Sequence, residues 1–107
     1  MTIKNKALDE YIVYLSEIKN RSKYTIRNYA NDIVKFLHFL ERGNINYLNA
    51  GRINARDFIE ELSSNNYSEK SLRRITASIK SFYKWIAING YNLLNKPGDS
   101  ILNLKYR

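Results

Sequence analysis

Residues 20–40, NRSKYTIRNYANDIVKFLHFL, begin polar and basic and then become apolar at every third or fourth position. Ser22 is a favourable N-cap residue, and this spacing places the apolar side chains on one face of a helix. The inward positions are Ile26, Tyr29, Ile33, Phe36, Leu37 and Leu40. The stretch therefore predicts a long amphipathic helix from Ser22 to about Arg42, which Gly43 ends in a left-handed conformation.

The start of this helix is basic, since Arg21, Lys23 and Arg27 lie in or beside its first turn. The N-terminal end of a helix carries partial positive charge, so each cation there is disfavoured by about a few tenths of a kcal/mol. A purely structural helix would place acidic residues at this end. An anionic partner at the helix start would explain the pattern.

Two shorter helices are predicted on either side of this one, from apolar periodicity and capping residues. Residues 4–19 form the first, whose inward positions are Leu8, Tyr11, Ile12, Leu15 and Ile18. Residues 44–51 are predicted to be a loop or an irregular turn. Asn54 is predicted to cap the third helix, and acidic residues such as Asp57 in its first turns obey the dipole rule.

The fourth predicted helix runs from a Ser68 cap to Asn89-Gly90 and has three rows of side chains. Its apolar row is Leu72, Ile75, Ile79, Phe82 and Ile86. The next row is basic apart from one alanine and consists of Lys70, Arg73, Ala77, Lys80 and Lys84. On the other side lie Ser71, Arg74, Ser78, Ser81 and Trp85. Basic and small hydroxyl side chains can approach and neutralise a phosphate backbone, although a solvated basic face has the same composition.

The composition supports a basic, folded domain. The 107-residue chain is 44% hydrophobic, and 18 Lys and Arg against 10 Asp and Glu give a net charge of +8. This charge favours nucleic acid or an anionic membrane surface as partner, and the membrane is the weaker option because the apolar stripes are needed for the core. Cysteine is absent, and neither a membrane-spanning stretch nor a signal peptide is recognisable, so the cytoplasm is the expected compartment.

The two basic segments predict two contacts with one double-stranded DNA. Near the start of the second helix, the candidate DNA-binding residues are Arg21, Ser22, Lys23, Thr25, Arg27 and Asn28. On the fourth helix they are Lys70, Ser71, Arg73, Arg74, Ser78, Lys80, Ser81 and Lys84. Arg74 is the first candidate for reading a base edge, because its serine neighbours would let the helix sit deep in the groove. Lys80 and Lys84 are candidates for phosphate contacts.

No catalytic constellation can be assembled from the sequence. His38 is the single histidine and lies between apolar residues within a helix, and the carboxylates are scattered or explained by a helix start. No glycine-rich phosphate loop occurs. We therefore expect a binding domain with no cofactor and no metal, and not an enzyme.

A family resemblance lies in SKYTIRNYANDIVKFLHFL, which is similar to the pattern S-x-x-T-x-x-x-Y-x-x-D-[LI]-x-x-F of the core-binding domain of tyrosine recombinases, the phage integrases and Xer recombinases. The matching residues are Ser22, Thr25, Tyr29, Asp32, Ile33 and Phe36. The stretch SEKSLRRITASIKSFYKWIAING is similar to the fourth helix of that domain. The stretch NKPGDSILNLKYR is similar to the linker that leads into the catalytic domain, with Lys96 inserted between Asn95 and Pro97.

This resemblance implies a four-helix, SAM-like orthogonal bundle that forms half of a clamp around DNA, with its second and fourth helices facing the major groove. Residues 1–95 would be the DNA-binding domain, and residues 96–107 the start of a linker to a catalytic domain, whose residues cannot be mapped here. The sequence itself predicts a mostly extended tail over residues 91–107, which contains Pro97-Gly98. The isolated domain is expected to be a monomer, and full-length recombinases to form tetramers on DNA. The alternatives are a stand-alone helical DNA-binding regulator and a basic helical module for protein interactions.

Overall fold

The computed structural model describes residues 5–91, 93–94 and 97–105. Four α-helices make up most of these ranges, which contain no strand: α1 (Lys6–Glu17), α2 (Lys23–Arg42), α3 (Arg52–Ser64) and α4 (Glu69–Ile88). Single 3₁₀ turns occur at Tyr47–Asn49, Pro97–Asp99 and Ile101–Asn103. The predicted all-α fold of four helices is confirmed.

The N-terminal caps of α2 and α4 are those predicted. The Ser22 hydroxyl accepts a hydrogen bond from the Thr25 N–H at 3.1 Å, and the Ser68 hydroxyl accepts one from the Ser71 N–H at 3.1 Å. Both bonds satisfy an N–H group that the helix leaves unpaired at its start.

The predicted start of α3 is wrong. Gly51 is the N-cap residue, and the Asn54 side chain, inside the helix, accepts a hydrogen bond from the Gly51 N–H at 2.8 Å. Asn54 therefore serves as the returning half of a capping box rather than as the cap. The first turn of α3 begins with Arg52 and holds no acidic residue, so the predicted agreement with the dipole rule is wrong as well.

The C-terminal ends share one geometry, in which a left-handed residue follows the helix and the next N–H returns to a carbonyl of the last turn. After α2 the left-handed residue is Asn44, with φ of 56°, whereas Gly43 has φ of −92°, so the prediction for Gly43 is wrong by one position. The Ile45 N–H then reaches the Leu40 carbonyl at 2.9 Å. After α4 the predicted Gly90 is left-handed, with φ of 86°.

The core is centred on α4, which packs against α1, α2 and α3. All five residues of its predicted apolar row are buried, and four of them are fully enclosed. Phe36 of α2 and Phe58 of α3 meet there with ring centroids 5.3 Å apart. The predicted inward position of Ile18 is wrong, because α1 ends at Glu17 and the Ile18 side chain is 71% exposed.

The segment after α4 does not run out as an extended linker. Ile101 and Leu104 are buried against the same core, and Ser100 forms an antiparallel bridge with Gly51 at the start of α3. The two apolar side chains are three positions apart, so a single turn brings both to the protein. The expectation of a mostly extended tail is therefore wrong over 97–105. The predicted boundary at residue 95 stays a prediction, and Asn95 and Lys96 of the linker motif lie outside the described residues.

Candidate nucleic-acid interface

The connection between α1 and α2 carries the first cluster of predicted contact residues. The Arg21 N–H donates to the Leu15 carbonyl at 3.0 Å, and the Lys19 N–H donates to the Tyr14 carbonyl at 3.1 Å. These bonds tie the basic turn to the end of α1, while both side chains are exposed. The backbone positions of Lys19 and Arg21 are therefore fixed.

The first turns of α2 extend this basic region. Lys23 and Arg27 are exposed, and Thr25 and Asn28 are partly buried. The Ser22 and Thr25 hydroxyls lie 3.0 Å apart and hydrogen-bond each other, so the two oxygens are presented together at the helix start. Tyr24, which sequence reasoning missed, is 74% exposed in the same turn. The apolar periodicity carried the signal, because Tyr24 lies two positions before Ile26 and five before Tyr29 and is therefore off the inward face.

The basic row of α4 lies at the surface, as predicted. Lys70, Arg73 and Lys84 are exposed, and Lys80 is partly buried. Arg73 forms an ion pair with Glu69 at 3.0 Å, in which both side chains are about two-thirds exposed. Exposed pairs of this type contribute little to stability, so a phosphate can replace the carboxylate at small cost.

The serine row of α4 is divided by burial. Ser81 is exposed and Ser71 is partly buried, but Ser78 is fully buried. The Ser78 hydroxyl donates to Asp32 Oδ2 of α2 at 2.9 Å. The prediction of Ser78 as a DNA-facing hydroxyl is wrong, because its oxygen is used inside the protein.

Arg74 is held by a partner that sequence reasoning did not assign to the site. Its Nε and Nη2 atoms donate to the two carboxylate oxygens of Asp32 at 3.1 and 3.0 Å. The hydrogen bond to Asp32 raises the pKa of Arg74 above its already high value. The available signal was spacing, since Asp32 lies three positions after Tyr29 and four before Phe36, on the inward face of α2.

A groove joins the two predicted segments. It has a volume of about 340 Å³ and is bordered by Lys19 and Arg21 from the α1–α2 connection and by Ser81 and Lys84 from α4. The remaining lining residues are Tyr11, Tyr14, Leu15, Tyr29 and Trp85. None of these nine described residues is acidic, so cations from two elements converge without a competing carboxylate.

Aromatic side chains form the apolar wall of this groove. The Tyr11 and Trp85 ring centroids are 5.4 Å apart, and those of Tyr14 and Trp85 are 5.9 Å apart. Burial raises the pKa of Tyr11 to about 12, and its hydroxyl hydrogen-bonds Ser81. The phenol therefore stays neutral at ordinary pH and adds no negative charge beside the cations.

The described ranges contain no cluster of three or more side chains suited to holding a metal ion. Within the same residues, no helix has the length and hydropathy required to cross a membrane.

Comparison with known proteins places the chain in one family. The family model described as "Phage integrase, N-terminal SAM-like domain" matches residues 8–90. Tyrosine recombinase XerC of Anoxybacillus flavithermus is 39% identical over 83 residues, which cover 77% of this chain and 28% of that protein. Tyrosine recombinase XerD of Rickettsia prowazekii is 35% identical over 74 residues, which cover 69% of this chain and 24% of that protein.

A third relative extends the match along the chain. Tyrosine recombinase XerC of Treponema denticola is 28% identical over 101 residues, which cover 94% of this chain and 33% of that protein. The chain thus spans a third or less of the length of these relatives. No solved structure gives a significant match. The chain belongs to the family of phage integrase N-terminal, SAM-like domains found in tyrosine recombinases.

Proposed function

We propose that this chain binds duplex DNA as the N-terminal half of the clamp of a site-specific tyrosine recombinase, holding one arm of a recombination site through the start of α2 and the exposed rows of α4. The observation that carries the proposal is the groove in which Lys19 and Arg21 meet Ser81 and Lys84. Family membership supports a DNA-binding role in recombination.

The electrostatics favour a phosphate backbone along this surface. Lysine and arginine neutralise phosphates and release condensed counterions, while exposed hydroxyls donate hydrogen bonds to phosphate oxygens. The helix N-terminus of α2 adds unpaired N–H groups and a partial positive charge, both of which attract the same anion. The cations that are disfavoured in an isolated helix are then stabilised by the bound DNA.

The proposed contact residues are those predicted, with the buried Ser78 removed. They are Arg21, Ser22, Lys23, Thr25, Arg27, Asn28, Lys70, Ser71, Arg73, Arg74, Lys80, Ser81 and Lys84. Lys19 joins them because it borders the groove. Phosphate contacts would set the register of the domain on the duplex, and Arg74 would be the candidate for contact with a base edge.

Within a complete recombinase, this domain would contribute binding and alignment, and strand cleavage would belong to a separate catalytic domain. We propose that the 107-residue chain by itself binds DNA as a monomer without cutting it, and that subunits of the complete protein assemble as tetramers on DNA. The proposed compartment is the cytoplasm.

One observation favours a second candidate, a stand-alone DNA-binding regulator. Helices α3 and α4 are joined by four residues, 65–68, a length found in helix-turn-helix motifs. The length of α4, 20 residues, and the basic groove at α1 favour the recombinase domain instead. Footprinting separates the two, since a recombinase domain should protect one arm of an inverted repeat.

Salt-dependent binding to a short fluorescent duplex tests the proposal. We expect weak binding with little sequence preference, and about 4–6 neutralised phosphates give a log–log salt slope of roughly −4 to −5. Lys84→Ala, in the groove, should weaken binding and make the slope less negative by about one unit. Arg56→Ala is the matched control, because it removes the same charge from an exposed position on α3, which lines no part of the groove. Binding that is undetectable at low salt, or insensitive to salt, would contradict the proposal.

A further inference from the structure

Among the described residues, Asp32 is charged and buried, and it is not part of the exposed DNA-binding surface proposed above. Its side chain is 1% exposed, and it lies on the inward face of α2 beside Ile33. A buried carboxylate is unfavourable unless hydrogen bonds and an opposite charge replace the lost water. Asp32 receives three hydrogen bonds from α4, two from the Arg74 guanidinium and one from the Ser78 hydroxyl.

The Asp32 carboxylate pairs with one edge of the Arg74 guanidinium and does not contact a second edge. Arginine has five N–H donors in a planar fork. Asp32 accepts from Nε and Nη2, so both hydrogens of Nη1 and one of Nη2 are not used by this carboxylate. The Arg74 side chain is 44% exposed although Asp32 is enclosed, so the guanidinium forms the boundary between the carboxylate and solvent.

We propose that Asp32 is a positioning residue for DNA recognition, which holds Arg74 so that its free Nη1/Nη2 edge meets a pair of acceptor atoms on the duplex. This inference rests on the proposed function. The acceptors are the O6 and N7 atoms of guanine or two phosphate oxygens, since both suit a bidentate guanidinium contact. Fixing the long side chain before binding removes part of the ordering cost of that contact.

The charge of Asp32 makes a positioning role distinguishable from simple electrostatics. Replacing the carboxylate by an amide raises the net charge by one and should strengthen non-specific attraction to DNA. If Asp32 positions Arg74, the same replacement should weaken binding instead. The two explanations therefore predict opposite signs.

The test compares Asp32→Asn with Glu69→Gln in the 107-residue chain. Both variants remove one negative charge from an arginine pair, but the Glu69–Arg73 pair is exposed and within one helix. We expect Asp32→Asn to weaken duplex binding about tenfold and Glu69→Gln to leave it unchanged or slightly stronger. Thermal unfolding followed by circular dichroism establishes a temperature at which every variant is folded, and binding is measured at that temperature. Urea unfolding gives the free energy of unfolding of each variant.

A double-mutant cycle excludes an effect through folding alone. In an Arg74→Ala background, Asp32→Asn should change binding by less than about twofold, because no guanidinium remains to be positioned. If Asp32→Asn does not fold, Arg74→Lys tests the bidentate contact that the inference requires. Lysine keeps the charge beside Asp32 but lacks the second edge, so binding should again fall about tenfold.

The outcomes are separable. Asp32→Asn that is folded and binds as tightly as the parent chain overturns the inference, as does an equal loss in the Arg74→Ala background or unchanged binding by Arg74→Lys. The salt slope distinguishes the two acceptor types. Loss of a phosphate contact makes the slope less negative by about one unit, whereas loss of a guanine contact leaves the slope unchanged. A parent chain without salt-dependent binding would overturn the proposed function and this inference together.

Discussion

Ser78 and Ser81 are three positions apart on α4, but Ser78 is enclosed and Ser81 is exposed in the groove. Ser78 lies next to the apolar row, between Ile75 and Phe82 on the helix surface, and the Asp32 carboxylate gives its hydroxyl a buried partner. A buried hydroxyl needs a hydrogen-bond partner. The Arg74 carbonyl of the same helix, 3.1 Å away, is also within reach of the Ser78 hydroxyl. The sequence pattern indicates which rows adjoin the core, but it does not contain the partner from another helix.

The division of labour along α4 can be tested one residue at a time. Phe82→Ala should lower the free energy of unfolding by about 3–5 kcal/mol, because it removes a ring that is fully buried among other aromatic side chains. Lys84→Ala should change that free energy by less than about 0.5 kcal/mol, because the Lys84 side chain is exposed and exposed substitutions usually have effects of this size. Urea unfolding measures both values. A similar loss of stability in the two variants would contradict the assignment of the apolar row of α4 to the core and of the basic row to the surface.

At the scale of elements, the four helices could be predicted because their signals are local. Ser22 and Ser68 bond to N–H groups three residues away. The apolar spacing of α2 and α4 continues for about four turns in each helix. The start of α3 and the path of residues 97–105 could not be predicted in this way. Asn54 is compatible with either half of a capping box, and two apolar residues within one turn show no periodicity.

The docked segment after α4 gives a direct test at this scale. Ile101→Ala should lower the free energy of unfolding by about 2–5 kcal/mol, because the side chain is 1% exposed between α3 and α4. Leu102→Ala is the matched control, since the neighbouring side chain is 41% exposed and should matter far less. Thermal and urea unfolding report the difference. Equal stability of the two variants would indicate that this segment does not pack on the core in solution.

At the scale of the whole molecule, a net charge of +8 predicts an anionic partner but does not place it. The groove exists because the end of α1 packs beside α4, which brings Lys19 and Arg21 to Lys84 across more than 60 positions of the chain. The Asp32–Arg74 pair likewise joins residues 42 positions apart. Such contacts depend on how helices pack, so the sequence could propose candidate residues for the site but not their arrangement.

A titration of the ¹⁵N-labelled chain with duplex DNA, followed by backbone amide chemical shifts, tests the proposed interface most directly. We expect the largest changes in two groups of amides, residues 19–28 at the α1–α2 connection and start of α2, and residues 70–84 of α4, both saturating at the same DNA concentration. Salt should reverse these changes, since phosphate contacts dominate. Changes that cluster instead on α3, around Asp57 to Leu62, while Arg21, Arg74 and Lys84 remain unaffected, would contradict the proposal.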